Sequence, residues 1–203
     1  VNYVEAHDNL TLWDKLIYTN PTDSLDIRKK MDKMAAACVF LAQGIPFIQA
    51  GQDFLRSKPL PGGAYDHNSY NSPDAVNSLK WDRKSEFRDV FDYYKGLIEF
   101  RKAHSALRMF TAEDIGRNMK FFDHLPQRIV GFGLYGDCDL EEIIVFFNPT
   151  NDDITLHAFG EYNVYIDGDN AGNKPLYTVC DDYIIKPHST MVMGRPYPKP
   201  EEE

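Results

Sequence analysis

The pattern of hydrophobic and polar positions changes near residue 112, and this change divides the chain into two predicted parts. Before that point, short apolar runs alternate with segments whose apolar residues recur every three or four positions, which predicts alternating strands and helices. After it, short alternating runs are separated by turn residues, which predicts antiparallel strands. We therefore predict two domains, residues 1–112 with α/β character and residues 113–203 with all-β character.

The first part reads as strand, helix, strand, helix. Residues 1–4 and 47–50 are compact apolar runs typical of buried parallel strands. Helices are predicted over residues 10–16, 27–42 and 85–101, the second following a turn that ends at Ser24 and the third capped by Ser85. A complete (β/α)8 TIM barrel needs about 250 residues, so residues 1–112 correspond to about strands 7–8 of such a barrel with their helices.

The second part predicts an antiparallel β-sandwich of six to eight short strands. Its candidate strands cover residues 120–123, 129–135, 142–148, 154–157, 162–166, 183–186 and 190–193, with turn residues between them. The proline-rich, acidic tail over residues 196–201 is expected to remain unpacked.

Charge and composition exclude several classes of partner. With 22 basic and 31 acidic residues the net charge is -9, which argues against binding to nucleic acid or to an anionic membrane surface. No apolar run approaches the roughly 20 residues of a membrane span. The three cysteines are widely spaced and predict free, at least partly buried thiols, and the histidines form no ligand set. We therefore expect no metal site and no cofactor.

The candidate chemistry lies in His7-Asp8-Asn9, directly after the first predicted strand. Barrel enzymes hold their catalytic groups at the carboxyl ends of strands. Asp8 could act there as a nucleophile, a general base, a charge stabiliser or an acceptor from substrate hydroxyls, or it could cap the following helix. Trp13 could stack on a sugar ring, or it could belong to the core with the neighbouring leucines.

Four sequence blocks carry a resemblance to a known family. VNYVEAHDNLTLWDKL, residues 1–16, resembles the last of the short blocks that mark the α-amylase superfamily, and its form is similar to that of type I pullulanases. The resemblance continues in order through GIPFIQAGQDFLRSK, HNSYNSPDAVNSLKW and FRKAHSALR, and it covers residues 1–110. Several blocks in the same order are far more specific than a three-residue motif alone.

The resemblance implies roles for individual residues. Asp8 matches the third carboxylate of the family's site, which binds sugar hydroxyls and stabilises the positive charge of the transition state. His7 matches a histidine that hydrogen-bonds sugar hydroxyls. Asn68, Tyr70 and Asp74 match a loop that contacts the glucan, although each could instead make hydrogen bonds within its own loop.

The implied activity is hydrolysis of α-1,6-glucosidic branch linkages in pullulan, starch or glycogen with retention of configuration. In this family the nucleophile and the general acid lie on earlier strands, so we expect the chain alone to be inactive. The expected partners are an α-glucan and the remainder of the barrel, with self-association of the isolated chain. The alternatives are an α-1,4-amylase, an isoamylase-type debranching enzyme, and a non-catalytic glucan-binding or structural β-domain.

Overall fold

The computed structural model describes residues 1–198 of the chain. Six α-helices lie in the first 118 residues, and short 3₁₀ turns connect several of them. The helices are α1 (Leu12–Thr19), α2 (Leu25–Leu41), α3 (Asp74–Asn77), α4 (Arg83–Glu86), α5 (Arg88–Ala103) and α6 (Ala112–Asn118).

The helix starts follow from side chains that cap free backbone amides. Thr11 accepts a hydrogen bond from the Asp14 amide at the start of α1, and Ser24 accepts one from the Ile27 amide at the start of α2. The predicted cap at Ser85 is wrong, because Ser85 lies inside α4. Phe87 takes a non-helical conformation (φ -108°, ψ 43°) and separates α4 from α5.

The two predicted parallel strands are not formed as strands. Residues 1–4 and 47–50 meet at a single parallel bridge between Asn2 and Pro46. The Asn2 amide donates to the Ile45 carbonyl (2.8 Å) and the Phe47 amide donates to the Asn2 carbonyl (2.9 Å). Both bonds are made by the residues on either side of Pro46, whose own nitrogen carries no proton and cannot bond a neighbouring strand on its other side. The prediction was therefore wrong about strands but correct about which two segments lie side by side.

Within residues 119–198, eight antiparallel strands follow the helices and form two sheets. The strands are β1 (Met119–Phe121), β2 (Val130–Tyr135), β3 (Leu140–Asn148), β4 (Ile154–His157), β5 (Tyr162–Ile166), β6 (Tyr177–Val179), β7 (Asp182–Ile185) and β8 (Ser189–Pro196). One sheet has the order β1-β2-β3-β8-β5-β6, and β4 pairs with β7 in the other.

The antiparallel prediction is confirmed, with seven of the eight strands near their predicted positions. The prediction missed β6, and it was wrong about the start of the tail. Pro196 closes β8, and the Tyr197 hydroxyl donates to the Asp137 carbonyl (3.0 Å), so the chain is still packed there. The rest of the predicted tail, from residue 199 on, lies outside the described residues.

Two hydrophobic cores hold the molecule together. The larger one joins side chains of the helices, such as Phe40, Leu97 and Phe100, to sheet residues such as Leu134 and Val192. The smaller one lies between the two sheets and contains Phe146, Met193, Tyr183 and Ile185. In the described part of the chain, no helix is both long and apolar enough to cross a membrane. The three cysteines are free and exposed, so the expectation of burial was wrong.

Candidate functional site

The His7-Asp8-Asn9 triplet forms a tight exposed turn in front of α1. Asn9 has a left-handed backbone (φ 64°), which asparagine tolerates better than most residues. The His7 Nε2 and Asp8 Oδ2 atoms lie 3.5 Å apart, and their side chains are 85% and 71% exposed. Both polar groups are therefore free to meet a ligand.

This turn lines an open cleft of about 830 Å³. A second cleft of about 480 Å³ adjoins it, since Leu10, Tyr18 and His67 line both. The wall of the second cleft is completed by the loop segment Gly62–Gly63 and by Tyr65. The combined groove is long, open and lined by aromatic and polar groups, which suits an extended polyhydroxylated ligand.

Two carboxylates beside the first cleft have opposite environments. Glu5 is only 4% exposed, and one of its oxygens accepts a hydrogen bond from the Leu12 amide. Gln49, with its amide oriented to satisfy its neighbours, donates to the other Glu5 oxygen (3.2 Å) and to the Ala6 carbonyl (2.9 Å). Burial raises the pKa of Glu5 to about 7 against the opposing hydrogen bond from Leu12. Asp8 is thus the solvent-facing carboxylate of the pair.

A buried polar cluster lies behind the turn. Asp14 is fully buried and accepts hydrogen bonds from the Ser57 hydroxyl and from the Lys58 amide (2.7 Å). The Lys58 side chain is also buried, and its ammonium donates to the His7 carbonyl (3.3 Å). The cluster connects the His7-Asp8-Asn9 turn to the loop that follows residue 55.

The other predicted sugar contacts do not line either cleft. These are Asn68, Tyr70 and Asp74. Their loop is wound around Asp66, whose carboxylate accepts from the Asn68 amide (2.9 Å) and the Ser72 hydroxyl. Tyr70 is 81% exposed, and Asp74 begins α3. Of the five predicted site residues, the structure brings together His7 and Asp8.

Sequence reasoning missed His67 and Tyr18 as lining residues, and it left Trp13 open. The histidines together form no ligand set, but His67 is the first residue of the HNSYNSPD block. Tyr18 lies on α1 with a 74% exposed side chain, and its place on the polar face of that helix was the available signal. Trp13 is 5% exposed and packs 6.2 Å from the Phe87 ring, so it belongs to the core.

One further group of potential metal ligands lies away from the clefts, where His104, Asp137 and Asp139 offer atoms within 4.8 Å of one another. The Asp137 carboxylate already accepts hydrogen bonds from the Ala106, Asp139 and Leu140 amides and contacts His104 Nδ1 at 3.0 Å. Its oxygens are thus committed to protein donors, and the group is better described as a structural clamp.

The chain is similar to known proteins in both sequence and fold. No family model matches the chain. Pullulanase of Bacillus subtilis is 41% identical over 143 residues, which cover 70% of this chain and 19% of that protein. Pullulanase of Klebsiella pneumoniae is 32% identical over 199 residues, covering 78% of this chain and 18% of that protein. An isoamylase of a Flavobacterium species is 30% identical over 145 residues, covering 59% and 18% respectively.

Solved structures agree with the sequence relatives. A pullulanase from Bacillus acidopullulyticus is 41% identical with a TM-score of 0.88, covering 96% of this chain and 24% of that one. Type I pullulanase from Bacillus subtilis, complexed with maltose, is 30% identical with a TM-score of 0.86, covering 96% and 27%. The chain therefore spans less than a third of the length of these relatives.

Proposed function

Since this chain is homologous to a C-terminal portion of pullulanases, we propose that it contributes to a glycoside hydrolase that cleaves α-1,6-glucosidic branch linkages with retention of configuration. The observation that carries the proposal is the exposed Asp8 carboxylate at the wall of a long open cleft in a chain with this homology. Pullulan, starch and glycogen are the proposed substrates.

Asp8 is proposed to stabilise the transition state. Cleavage of a glycosidic bond places positive charge on the sugar ring, and a fixed carboxylate beside the ring lowers the energy of that state. His7, whose ring lies beside Asp8 and is also exposed, is proposed to donate hydrogen bonds to sugar hydroxyls. Contacts of Asn68, Tyr70 and Asp74 with a longer glucan remain part of the proposal, outside the two clefts.

The chain alone is proposed to be inactive. A retaining glycosidase needs a nucleophile and a general acid about 5 Å apart. Among the residues that line the first cleft, the carboxylates are Glu5 and Asp8, and the Glu5 oxygens accept hydrogen bonds from Leu12 and Gln49.

Residues 1–112 are proposed to form strands 7–8 of a TIM barrel with their helices, supported by the parallel bridge at Asn2 and Pro46. Residues 113–203 are proposed to form a β-sandwich domain.

The proposed partners are an α-glucan and the remaining barrel segments. Related pullulanases have been solved with maltose, maltotetraose, and maltohexaose with α-cyclodextrin.

Three apolar side chains are exposed beside the parallel bridge, namely Tyr3 (60%), Ile45 (67%) and Phe47 (45%). Such an apolar edge is suited to pairing with further strands, and in the isolated chain it favours self-association. The charge of -9 disfavours nucleic acid.

The test is the substitution Asp8→Asn in the complete gene product that contains this sequence. Release of reducing sugar from pullulan is expected to fall by about 100-fold or more, because the amide removes the charge without changing the shape. Asp123→Asn, at an exposed carboxylate far from the clefts, is the matched control and should leave the rate unchanged. Activity of Asp8→Asn within a few-fold of the unmodified protein would contradict the role of Asp8.

A second candidate is an isoamylase-type or α-1,4-cleaving enzyme, which the isoamylase relative favours. Rates on pullulan, glycogen and linear amylose separate the possibilities, because amylose contains only α-1,4 linkages. A rate on amylose above that on pullulan would favour the α-1,4 enzyme. Binding of maltoheptaose without hydrolysis of any of the three would favour a glucan-binding module.

A further inference from the structure

Lys58 is a buried lysine in a loop, which is an unusual place for this residue type. Its side chain is 2% exposed, although lysine is almost never fully buried unless it is paired. Removing an ammonium from water costs several kcal/mol, and hydrophobic residues of similar volume often replace buried ions without loss of stability. Stability alone therefore does not explain the burial of this ammonium.

The contacts of the ammonium point to the candidate site. Its hydrogen bond goes to the carbonyl oxygen of His7 at 3.3 Å. Within residues 1–198, no carboxylate lies within 4.0 Å of it, so the carbonyl is its direct partner. Glu5, Asp66 and Asp14 attract it from a greater distance and partly offset the effect of burial, which lowers the pKa of Lys58.

The backbone of Lys58 is held on both sides. Its amide donates to the Asp14 carboxylate at 2.7 Å, and its carbonyl accepts from the Asp66 amide at 2.8 Å. Asp14 belongs to α1, and Asp66 belongs to the loop whose next residue, His67, lines both clefts. Lys58 therefore starts from a fixed position relative to the helix and to the loop.

The carbonyl that Lys58 binds belongs to the peptide group between His7 and Asp8. Fixing this oxygen fixes the plane of that peptide group, and with it the direction in which the Asp8 side chain leaves the backbone. The Asp8 carboxylate itself is 71% exposed and has the His7 ring at 3.5 Å as its near polar neighbour. Its position in the cleft is thus determined mainly by the backbone beneath it.

We propose that Lys58 is a positioning residue, which holds the His7-Asp8-Asn9 turn, and therefore the Asp8 carboxylate, through its hydrogen bond to the His7 carbonyl. This inference rests on the proposed function for its consequence in catalysis, but its structural part can be tested without activity. A purely structural lysine would affect the stability of the fold and would leave the turn and the catalytic constant unchanged in the folded protein.

The first test is Lys58→Met in the chain, with Lys80→Met as the control at an exposed lysine between α3 and α4. In ¹⁵N–¹H spectra, Lys58→Met should shift or broaden the amide signals of Asp8 and Asn9, and Lys80→Met should leave them in place. Both variants should still unfold cooperatively in urea, which shows that the altered signals come from a folded chain. Unchanged Asp8 and Asn9 signals would overturn the proposal, whatever the activity of the protein.

The second test measures kcat and KM on pullulan in the complete gene product. A displacement of about 1 Å in a catalytic group can cost about 100-fold in rate, so Lys58→Met should lower kcat by about 10- to 100-fold and change KM by less than about three-fold. Lys58→Arg, which keeps a cation, should recover part of kcat. An unchanged kcat in Lys58→Met would overturn the proposal, whereas absence of pullulan hydrolysis in the unmodified protein would contradict only the proposed function.

Discussion

At the scale of single residues, Glu5 and Asp8 show how one short segment can hold two carboxylates in opposite environments. The Glu5 carboxylate is buried against the start of α1, whereas Asp8 lies in the exposed turn that precedes this helix. The sequence alone places the two carboxylates three residues apart. It could not show that the Leu12 amide and the Gln49 side chain enclose Glu5, because these contacts depend on how α1 and the segment after Pro46 pack.

Glu5→Gln is expected to make the stability of the chain less sensitive to alkaline pH. The folded pKa of Glu5 is raised to about 7 from an ordinary value of 4.5, so its contribution is fully present below pH 4.5 and is lost as the pH rises through 7. Glutamine keeps the acceptor for the Leu12 amide and cannot ionise. Urea unfolding should show the variant about 3 kcal/mol more stable than the unmodified chain at pH 8 and nearly equal to it at pH 4.5.

The control for this experiment is Asp123→Asn, an exposed carboxyl group whose substitution should leave the pH dependence unchanged. A Glu5→Gln variant that is less stable than the unmodified chain at pH 8 would show that the ionised Glu5 is favourable where it lies.

At the scale of elements, helices were predicted better than parallel strands for a physical reason. The repeat of Met31, Met34 and Cys38 is local and marks α2 whatever surrounds it. A strand instead needs a partner along its length, and residues 1–4 and 47–50 share only the bridge at Asn2 and Pro46. The missed strand β6 has two exposed residues out of three and no alternation, so its apolar pattern did not mark it, although its three residue types all favour strands.

The sequence was equally limited for the candidate site. The His7-Asp8-Asn9 motif lies within one short segment and could be recognised directly. The lining by His67 and the burial of Lys58 depend on a loop that is held by Asp66 and Asp14, and the hydrogen bond from the Lys58 amide to Asp14 spans 44 residues of the chain. Residues brought together by such a loop could not be identified from local pattern alone.

Gly96→Ala in the middle of α5 is expected to destabilise the fold, against the usual preference of helices for alanine. A Cβ at Gly96 would lie 2.0 Å from the carbonyl oxygen of Ala171, which belongs to the chain following β5. Because a backbone atom cannot yield cheaply, we expect a loss of about 2–3 kcal/mol in the free energy of unfolding, near the upper range for overpacking. Urea denaturation monitored by circular dichroism would measure this loss.

Gly116→Ala in α6 is the matched control for the same change. Its Cβ would meet no atom within 4 Å, so only the helix preference remains and the variant should gain about 0.5–1 kcal/mol. Equal effects of the two substitutions would mean that α5 does not approach Ala171 as closely as described.

At the scale of the whole molecule, the helical and β parts are joined by more than the chain connection. The larger core contains residues from both sides of position 112, including Phe100 and Leu134. The turn between β2 and β3 adds Asp137, whose carboxylate contacts the His104 ring and accepts the Ala106 amide (3.1 Å) just after α5. Both groups of this pair are nearly fully buried, so the contact acts where solvent cannot replace it.

Asp137→Asn is expected to weaken this connection by about 2–4 kcal/mol, because several buried donors lose their charged acceptor. Burial raises the pKa of Asp137, but hydrogen bonds from His104 and from the Ala106 and Asp139 amides outweigh it and hold the pKa well below its usual range. A carboxyl with a lowered folded pKa contributes stability above its unfolded pKa of about 4, and this contribution is lost as the pH falls. The difference in unfolding free energy between the unmodified chain and the variant should therefore be larger at pH 6 than at pH 3.

Asp182→Asn provides the comparison with an exposed pair, since Asp182 contacts His157 at a similar distance of 2.9 Å but with side chains that are 72% and 55% exposed. An exposed pair of this kind contributes about 1 kcal/mol or less, and its removal should have little effect in the same unfolding experiment. The two pairs have similar distances, but Asp137 also accepts hydrogen bonds from backbone amides, so the difference between the variants measures what burial and these additional bonds contribute. Equal losses in Asp137→Asn and Asp182→Asn would show that the Asp137 clamp adds nothing measurable to the connection between the helical and β parts.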